Sequence, residues 1–558
     1  MKQLTIAFFS FCLTVIQLSA QSMIPPMDIP LFLSGNFGEL RANHFHSGLD
    51  FKTQEITGIS VKAVKEGYVS RINISPWGYG RALYLTHPDG TKTVYGHLDR
   101  FVESVETFAR DSQYIKEQFH VELYLQPSQF PVKQGDVIAY SGNTGGSSGP
   151  HLHFEIRDAV TDDLYDPLPY YKHFIRDNVP PEMMALMIFP QAGTGIVNET
   201  TQNQEIRIVK DKTGNSVISP EINAWGNIGI GIKAYDRMSG TKNTYLPKNI
   251  SLEVDGVEIF AQSMNQFSFS ESRYLNSLIS FDEWANRKSF FMKSFIEPGN
   301  RLNIYRKKEY SGIISINEER IYNCKYTLTD SYGNKTVFPF EIVGIKQEIP
   351  EQSIQGIYFA YNKPNIFTNI NVVLEIPVGN LYTDVDFQYK ETTGYTPFSS
   401  LFRLGEQTPL HSYCPLKIKI QKDTYPDKTK YGVFSLVGTK KSWEGGIYKD
   451  GYMDCKIREL GNYSIGIDTL APQITPVTLK LWTKNEKISF KVTDDFSGVR
   501  EYKGTLDGKF VLFEYDPKNA SMFCKFDAQR MKRGKQRLVF SVKDRCGNER
   551  VYSEDIVF

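Results

Sequence analysis

The sequence predicts a mainly β protein with several domains, and three observations lead to that prediction. The chain has 558 residues, which at about 150 residues per domain indicates three or four domains. Along most of the chain, short runs of alternating apolar residues are separated by Gly, Pro, Asn and Asp, as in antiparallel strands joined by turns. After residue 176 a set of short motifs occurs twice, which indicates a repeated β unit.

Composition and charge argue for a folded protein and against a nucleic-acid partner. Hydrophobic residues make up 41% of the chain and charged residues 23%, which is enough apolar material for several packed cores. Lys and Arg together number 64 and Asp and Glu 63. The chain therefore has no excess of positive charge with which to neutralise phosphates or bind an anionic membrane surface.

The first twenty residues have the features of a secretory signal peptide. Lys2 precedes an apolar run from Leu4 to Leu18, and the small residues Ser19 and Ala20 follow. The run is shorter than the roughly 20 apolar residues of a membrane-spanning helix. We expect residues 1–20 to be removed, the protein to be exported to the periplasm or cell surface, and the mature chain to have no membrane span.

Closely spaced β patterns define the first domain, residues 21–175. Strand-like runs occupy Ile59–Ile74, and Arg81–Leu98 has the pattern of a hairpin. One segment differs, because the apolar residues of Val105–Phe119 fall near helical spacing with charges between them. We expect a helix there, within an insertion at about 103–130.

Three further β domains are expected after the first. They are a β-sandwich repeat with an insertion at 176–344, a β-rich middle domain at 345–472, and a second β-sandwich repeat at 473–558. The two repeats share three motifs in the same order: Lys233–Gly240 with Lys491–Gly498, Val254–Gly256 with Leu506–Gly508, and Thr329–Asn334 with Lys543–Asn548. The last motif places Asp-x-x-Gly-Asn in a turn before a final strand, which favours a two-sheet, immunoglobulin-like sandwich.

Five cysteines lie outside the signal segment, all of them in the second half of the chain. An exported protein permits disulfides, and the pairs Cys414 with Cys455 or Cys524 with Cys546 are possible. Buried free thiols are the alternative, and the sequence does not choose between them.

Histidines are concentrated in the first domain, where seven of the nine lie between residues 44 and 153. One group is His44-Phe45-His46-Ser47-Gly48-Leu49-Asp50, in which imidazoles and a carboxylate are close in sequence. In a second group, His151 and His153 are two residues apart, so that in a strand both side chains reach one face. The third is Tyr95-Gly96-His97, whose Tyr95 and His97 are expected to share a face for the same reason.

These groups together supply the ligand types of a catalytic zinc site, which binds three protein ligands and a water. The sequence therefore predicts a metal site in the first domain. From the residues alone, His44 and His46 remain equal candidates as the ligand that joins Asp50.

Three segments, Phe45–Asp50, Tyr95–Leu98 and Ser141–Glu155, resemble the lysostaphin-type zinc endopeptidases that cleave peptidoglycan peptides. The resemblance covers roughly residues 35–170 and implies a lysostaphin-type antiparallel β catalytic domain. The residues that it implies for the site are then, as zinc ligands, His46, Asp50 and His153 and, as the catalytic pair, His151 and His97. We also expect Tyr95, Asn143, Gly145 and Gly146 to line the substrate groove, where the glycines let a peptide backbone approach closely.

The function implied by this resemblance is that of an exported zinc metalloendopeptidase, which hydrolyses peptide cross-links of bacterial peptidoglycan with a metal-activated water. Its partner would be peptidoglycan peptides, and the sequence identifies no regulatory partner. One alternative is a catalytically silent scaffold that binds the cell wall and activates another hydrolase. Another is a surface binding protein whose sandwich repeats carry the function. All five implied site residues are present, which favours the enzyme.

Overall fold

The computed structural model describes residues 22–214, 216–307 and 311–558. These residues form a mainly β protein, which confirms the predicted fold class. The expected signal peptide lies outside the described residues. None of the described helices is both long enough and apolar enough to span a membrane.

Antiparallel strands build the first domain. Its elements are β1 (Leu33–Gly35), β2 (Leu40–Arg41), β3 (His44–Phe45), β4 (Leu49–Lys52), β5 (Ser60–Lys62), β6 (Gly67–Ile74), β7 (Arg81–Thr86), β8 (Thr91–Gly96), β9 (Arg100–Phe101), α1 (Glu103–Ile115), β10 (Val121–Tyr124), β11 (Pro131–Val132), β12 (Val137–Tyr140), β13 (His151–Asp158), β14 (Leu164–Tyr165) and α2 (Leu168–Tyr171). The main sheet has the order β1-β4-β13-β8-β7-β6-β10, and β5-β12-β9 form a second sheet. Helix α1 falls where helical spacing predicts it, with Val105 and Ala109 on its buried face.

Strand β13 lies between β4 and β8 at the centre of the main sheet. His153 pairs with Asp50 of β4 on one side and with Gly96 of β8 on the other. Alternate residues of the strand face the core, where Leu152 and Phe154 are fully buried. The opposite face therefore carries the odd-numbered side chains of β13, which include both histidines.

The second domain contains the first repeat and its insertion. Its elements are β15 (Glu182–Val197), β16 (Gln204–Lys210), β17 (Ser216–Ser219), β18 (Asn223–Arg237), β19 (Thr244–Tyr245), β20 (Asn249–Val254), β21 (Val257–Ser263), β22 (Gln266–Phe267), α3 (Leu275–Leu278), α4 (Phe281–Arg287), β23 (Met292–Lys293), β24 (Tyr305–Lys307), β25 (Ile314–Ile316), β26 (Ile321–Thr329) and β27 (Lys335–Gly344). The start of β18 pairs in parallel with the end of β27. This pairing joins the strands of the repeat into one hydrogen-bonded network, whereas the sequence predicts two separate sheets.

The middle domain has its own hydrophobic core. Its strands are β28 (Ile357–Phe359), β29 (Asn365–Thr368), β30 (Val372–Ile376), β31 (Val385–Phe387), β32 (Tyr389–Thr392), β33 (Leu401–Lys419), β34 (Tyr431–Val437), β35 (Lys440–Gly445), β36 (Ile447–Lys449) and β37 (Tyr452–Ile467). The long strands β33 and β37 pair at the centre of the larger sheet.

Two four-stranded sheets form the last domain. Its elements are β38 (Gln473–Pro476), α5 (Trp482–Asn485), β39 (Lys487–Thr493), β40 (Val499–Leu506), β41 (Lys509–Val511), β42 (Glu514–Asp516), β43 (Ser521–Lys525), β44 (Lys535–Asp544) and β45 (Glu549–Val557). The sheets have the orders β38-β39-β43-β42 and β41-β40-β44-β45. They pack face to face over a shared core, as in a β-sandwich.

The two repeats place their shared motifs at equivalent positions. Strand order β27-β26-β20-β21 in the first repeat matches β45-β44-β40-β41 in the second. In both turns of the Asp-x-x-Gly-Asn motif, the Asp Oδ1 accepts a hydrogen bond from the backbone N–H of the Asn at 2.8 Å, for Asp330 with Asn334 and for Asp544 with Asn548. The repeated sequence thus encodes the same local turn twice.

The five cysteines of the described residues are free and buried. Cys414 and Cys455 lie on the paired strands β33 and β37, but each faces another residue across the ladder. All five cysteines are therefore buried free thiols, which is the second of the two alternatives that the sequence left open.

A continuous hydrophobic cluster joins the first domain to the first repeat. Strand β22 extends the main sheet of the first domain by pairing with β14. The backbone N–H of Phe45, beside the predicted metal site, donates to Ser272 Oγ at 2.9 Å. The insertion of the first repeat thus supports the segment that precedes β4.

Candidate active site

Three ligand-type side chains of the first domain meet at one point. His46, Asp50 and His153 each offer one atom, and these atoms lie within 4.8 Å of one another. Asp50 Oδ1 lies 3.1 Å from His46 Nε2 and 2.9 Å from His153 Nδ1, and the two imidazole nitrogens are 3.2 Å apart. All three residues are buried.

The protein holds each imidazole by the nitrogen that faces away from the cluster. His46 Nδ1 donates to the carbonyl oxygen of Asn36 at 2.7 Å. His153 Nε2 donates to Glu155 Oε1 at 2.8 Å. In each ring the other nitrogen therefore points its lone pair at the cluster, which is the arrangement that a metal ligand requires.

Burial and charge act against each other at these groups. Burial alone would raise the pKa of Asp50, but the surrounding imidazoles, His46 first, lower the pKa of its carboxyl well below its usual range. Burial likewise disfavours the charged ring of His153, yet hydrogen bonds to Asp50 and Glu155 raise its pKa to about 9. The cluster thus attracts positive charge, and a divalent cation would replace the proton on His153. Two imidazole nitrogens and one carboxylate are a donor set that fits zinc with an open position.

His151 and His97 lie side by side next to this cluster, with ring centroids 4.7 Å apart. His151 Nε2 is 3.3 Å from Asp50 Oδ1, and its Nδ1 donates to the carbonyl oxygen of Gly149 at 2.8 Å. His97 Nδ1 donates to the carbonyl oxygen of Thr144 at 2.8 Å. In the neutral form, both rings therefore carry the free lone pair on Nε2.

Burial keeps His97 neutral. Burial, followed by repulsion from the nearby rings of His153 and His151, lowers the pKa of this imidazole to about 3. The residue also has a positive φ of 59°, which is uncommon outside glycine. The backbone therefore leaves the extended conformation directly after β8.

The sequence predicts that Tyr95 lines the substrate groove. This prediction is wrong, and the turn at His97 explains why. Tyr95 and His97 would share a face of a continuous strand, but the positive φ of His97 breaks the alternation. Tyr95 is fully buried, and its hydroxyl accepts a hydrogen bond from the backbone N–H of Val64 at 3.0 Å. It belongs to the core and does not line a groove.

The glycine-rich segment lies beside the two histidines, and Gly145 packs closely within it. This residue has a φ of 69°, and a Cβ there would lie 2.3 Å from the backbone nitrogen of Gly80. Position 145 therefore requires glycine, because the segment packs closely there against the loop of residues 78–80. Asn143 is half-buried and Gly146 is exposed, and the N–H of Gly146 donates to the carbonyl oxygen of Gly78 at 2.8 Å.

His44 lies outside the cluster. It is exposed, and its Nδ1 donates to the carbonyl oxygen of Ala42 at 2.8 Å. The remaining histidines are also remote from the cluster: His87, His120, His173 and His411.

Sequence reasoning missed a buried network behind His153. Glu155 is fully buried, and its Oε1 accepts hydrogen bonds from Tyr79 at 2.6 Å and Ser47 at 2.5 Å. Its Oε2 accepts from Arg157 Nε at 2.6 Å. The alternation of β13 could have identified Glu155 and Arg157, because they follow His153 on the same face of the strand.

Two family models match this chain. Residues 44–118 and 110–167 match peptidase family M23. Most of the first domain thus matches this family. This confirms the predicted lysostaphin-type resemblance. Residues 357–468 match the model of a Zu5-like domain, within the middle domain.

Two curated relatives each match between a fifth and a quarter of this chain. DD-carboxypeptidase/endopeptidase Mpg of Neisseria meningitidis is 30% identical over 112 residues, which cover 20% of this chain and 20% of the relative. Peptidoglycan DD-endopeptidase ShyB of Vibrio cholerae is 31% identical over 129 residues, which cover 23% and 24%. The catalytic domain of lysostaphin from Staphylococcus simulans, a solved structure, is 26% identical; the match covers 25% of this chain and 92% of that chain, with a TM-score of 0.20. This chain thus spans about a fifth of the length of the first of these relatives.

Proposed function

We propose that this protein is an exported zinc metalloendopeptidase that hydrolyses peptide cross-links of bacterial peptidoglycan. The observation that carries the proposal is the assembly, in one M23 domain, of a buried His-Asp-His cluster with two further histidines beside it. The substrate class is supported by the relatives, of which one is named as a DD-carboxypeptidase/endopeptidase and another as a peptidoglycan DD-endopeptidase. The scaffold alternative has less support, because such scaffolds usually lack one or more of these residues.

His46, Asp50 and His153 would hold the zinc ion. Zinc bound there supplies a water whose pKa is lowered to about 7 and polarises the scissile carbonyl. The protein's own contribution is to orient the ligands. Asn36 and Glu155 hold the two imidazoles, which fixes the tautomer and direction of each ring.

His151 has the geometry of a general base. Its Nδ1 proton is held by Gly149, so that Nε2 is free to accept a proton from the attacking water. When the peptide C–N bond breaks, the same nitrogen returns that proton to the leaving amine. Its side chain is 15% exposed.

His97 would interact with the oxyanion of the tetrahedral intermediate. A neutral His97 donates a hydrogen bond to that oxyanion in the tautomer with the proton on Nε2, which the ring adopts by giving up its hydrogen bond to the carbonyl oxygen of Thr144. Its ring lies beside that of His151, with the ring centroids 4.7 Å apart. We propose that the pair acts together on the same intermediate.

The test is a digest of purified peptidoglycan by residues 21–558, analysed by mass spectrometry with and without a chelator. We expect cross-linked muropeptides to disappear with the zinc-loaded protein and to persist with the chelator or with His153→Ala. The masses of the products identify the bond that is cleaved. Persistence of all cross-links with a zinc-loaded, folded protein would contradict the proposal and favour the scaffold.

A further inference from the structure

The last β-sandwich, residues 473–558, reaches the candidate active site through one side chain. Lys518 lies in the short turn Pro517–Asn519 between β42 and β43. Its Nζ donates to the carbonyl oxygen of Asn143, to Asn143 Oδ1 at 3.3 Å and to the carbonyl oxygen of Ser147 at 3.1 Å. One ammonium group therefore joins two points of the glycine-rich segment, Asn143 and Ser147.

The same short segment holds both histidines of the proposed catalytic pair. Thr144, which directly follows Asn143, accepts the hydrogen bond from His97 Nδ1. The hydroxyl of Ser147 lies 3.2 Å from His151 Nδ1 and donates to the carbonyl oxygen of Gly149, which itself accepts from that ring. Lys518 and the two imidazoles thus bind the same stretch of backbone, residues 143–149.

The ammonium group of Lys518 contacts neutral oxygens. Among the described residues, no carboxylate forms an ion pair with its ammonium group, whose partners are carbonyl and amide oxygens. A compact cation with three donors is suited to drawing several such oxygens together. The contact therefore holds residues 143–149 in one conformation.

Other contacts hold the last β-sandwich in place against the M23 domain. The rings of Trp77 and Tyr515 are 6.0 Å apart, and Arg81 lies 3.7 Å from Glu514. Arg81 is also tied to the glycine-rich segment, because its backbone N–H donates to Thr144 Oγ1 at 2.9 Å.

Helix α1 of the insertion provides a second docking surface. Tyr114 packs on Phe510 with ring centroids 5.4 Å apart, and the guanidinium of Arg530 lies 4.9 Å from the Tyr114 ring centroid. Arg530 also pairs with Asp111. The residues inserted at about 103–130 thus attach the last domain to the catalytic one.

We infer that the last β-sandwich is a working part of the catalytic unit and that Lys518 is its positioning residue. Lys518 fixes residues 143–149, and these fix the orientation of His97 and His151. The inference rests on the proposed function. It predicts different effects on catalysis and on zinc binding, because the hydrogen bonds that orient His46 and His153 come from Asn36 and Glu155, outside the segment. Loss of Lys518 should therefore weaken catalysis and leave zinc binding unchanged.

The test compares three variants of residues 21–558, each loaded with zinc. Lys518→Met removes the donor, and Lys518→Arg keeps a cation with several donors. Lys503→Met is the matched control, because Lys503 pairs with Glu117 across the same domain interface without touching the segment. Zinc affinity and the thermal transition are measured for all of them, to establish that each variant is folded and loaded.

The main readouts are the kcat and KM for a cross-linked muropeptide, the imidazole NMR signals, and amide hydrogen exchange over residues 142–149. For Lys518→Met we expect kcat to fall about 10- to 100-fold with KM within about twofold, as for a displaced catalytic group. The signals of His97 and His151 should shift, those of His46 and His153 should not, and amide exchange should accelerate. Lys518→Arg should recover most of the activity, and Lys503→Met should match the wild type.

Several outcomes would overturn the inference. An unchanged kcat and unchanged histidine signals in Lys518→Met would show that the contact has no role. A rise in kcat would show that the last domain inhibits the enzyme, and equal losses in Lys518→Met and Lys503→Met would show that only domain docking matters. If the wild-type protein cleaves nothing, the proposed function fails, while the NMR and exchange data still show whether Lys518 controls the segment.

Discussion

Asp50 and His153 lie directly opposite each other on the antiparallel strands β4 and β13, and Asp50 Oδ1 is 2.9 Å from His153 Nδ1. Directly paired residues of two strands project to the same face of a sheet. The register of one strand pair therefore brings together two groups that are 103 residues apart in sequence. His46 completes the cluster from the turn that precedes β4.

Replacing His153 and replacing His151 should have different effects. His153→Ala removes a proposed ligand, so the purified protein should contain almost no zinc and show no activity. His151→Ala removes the proposed base, and kcat should fall about 100- to 10,000-fold with zinc still bound. Zinc content by atomic emission and kcat on muropeptides check both expectations. Loss of zinc from His151→Ala would contradict the assignment of roles.

The network behind His153 should control zinc affinity. Glu155→Gln weakens the acceptor that holds His153 Nε2, and we expect zinc to bind about 10- to 100-fold more weakly. The change also leaves Arg157 without its buried carboxylate, so the free energy of unfolding should fall by about 3 kcal/mol. Competition with a chromogenic chelator measures the affinity. Glu103→Gln, at an exposed site on α1, is the control and should bind zinc like the wild type.

Gly145 should tolerate no side chain. Gly145→Ala requires an unfavourable positive φ and a Cβ within 2.3 Å of Gly80, so we expect it to destabilise the first domain by at least about 2 kcal/mol. Gly149→Ala is the matched control for stability, because its Cβ would meet open space. Chemical denaturation followed by fluorescence tests this difference. Equal stability of the two variants would mean that the loop of residues 78–80 adapts.

A cluster of three aspartates in the first repeat should make stability depend on pH. Burial, followed by repulsion from Asp330 and Asp177, raises the pKa of Asp236 to about 8. A carboxyl whose pKa is higher in the folded state stabilises the fold while it is protonated in both states. That contribution is complete below its ordinary pKa of 3.8 and is lost as the pH rises through about 8.

We therefore expect Asp236→Asn to raise the thermal transition of the first repeat at pH 8 and to change it little at pH 4. The measurement is the transition temperature of the full chain as a function of pH, for the variant and the wild type. Glu341→Gln, at an exposed position of β27 in the same repeat, is the control. Parallel pH curves for the wild type and Asp236→Asn would contradict the raised pKa.

Much of the candidate site follows from local sequence because its groups are close in the chain or lie on one strand. The spacing of His151 and His153 on a strand is enough to place both on one face. From residues alone, however, His44 and His46 could not be distinguished, and the resemblance to a family was needed. In the structure His46, and not His44, lies in the cluster with Asp50 and His153.

The sequence by itself determined the β class, the helix within the insertion, the repeated turns and the set of histidines, since each depends on periodicity or on short motifs. Only the tertiary structure decided that Tyr95 is core, because one left-handed residue, His97, interrupts a period that holds only for extended backbone. It also decided that Lys518 contacts Asn143, 375 positions away. Such a contact depends on how whole domains pack, and no local pattern of residues records it.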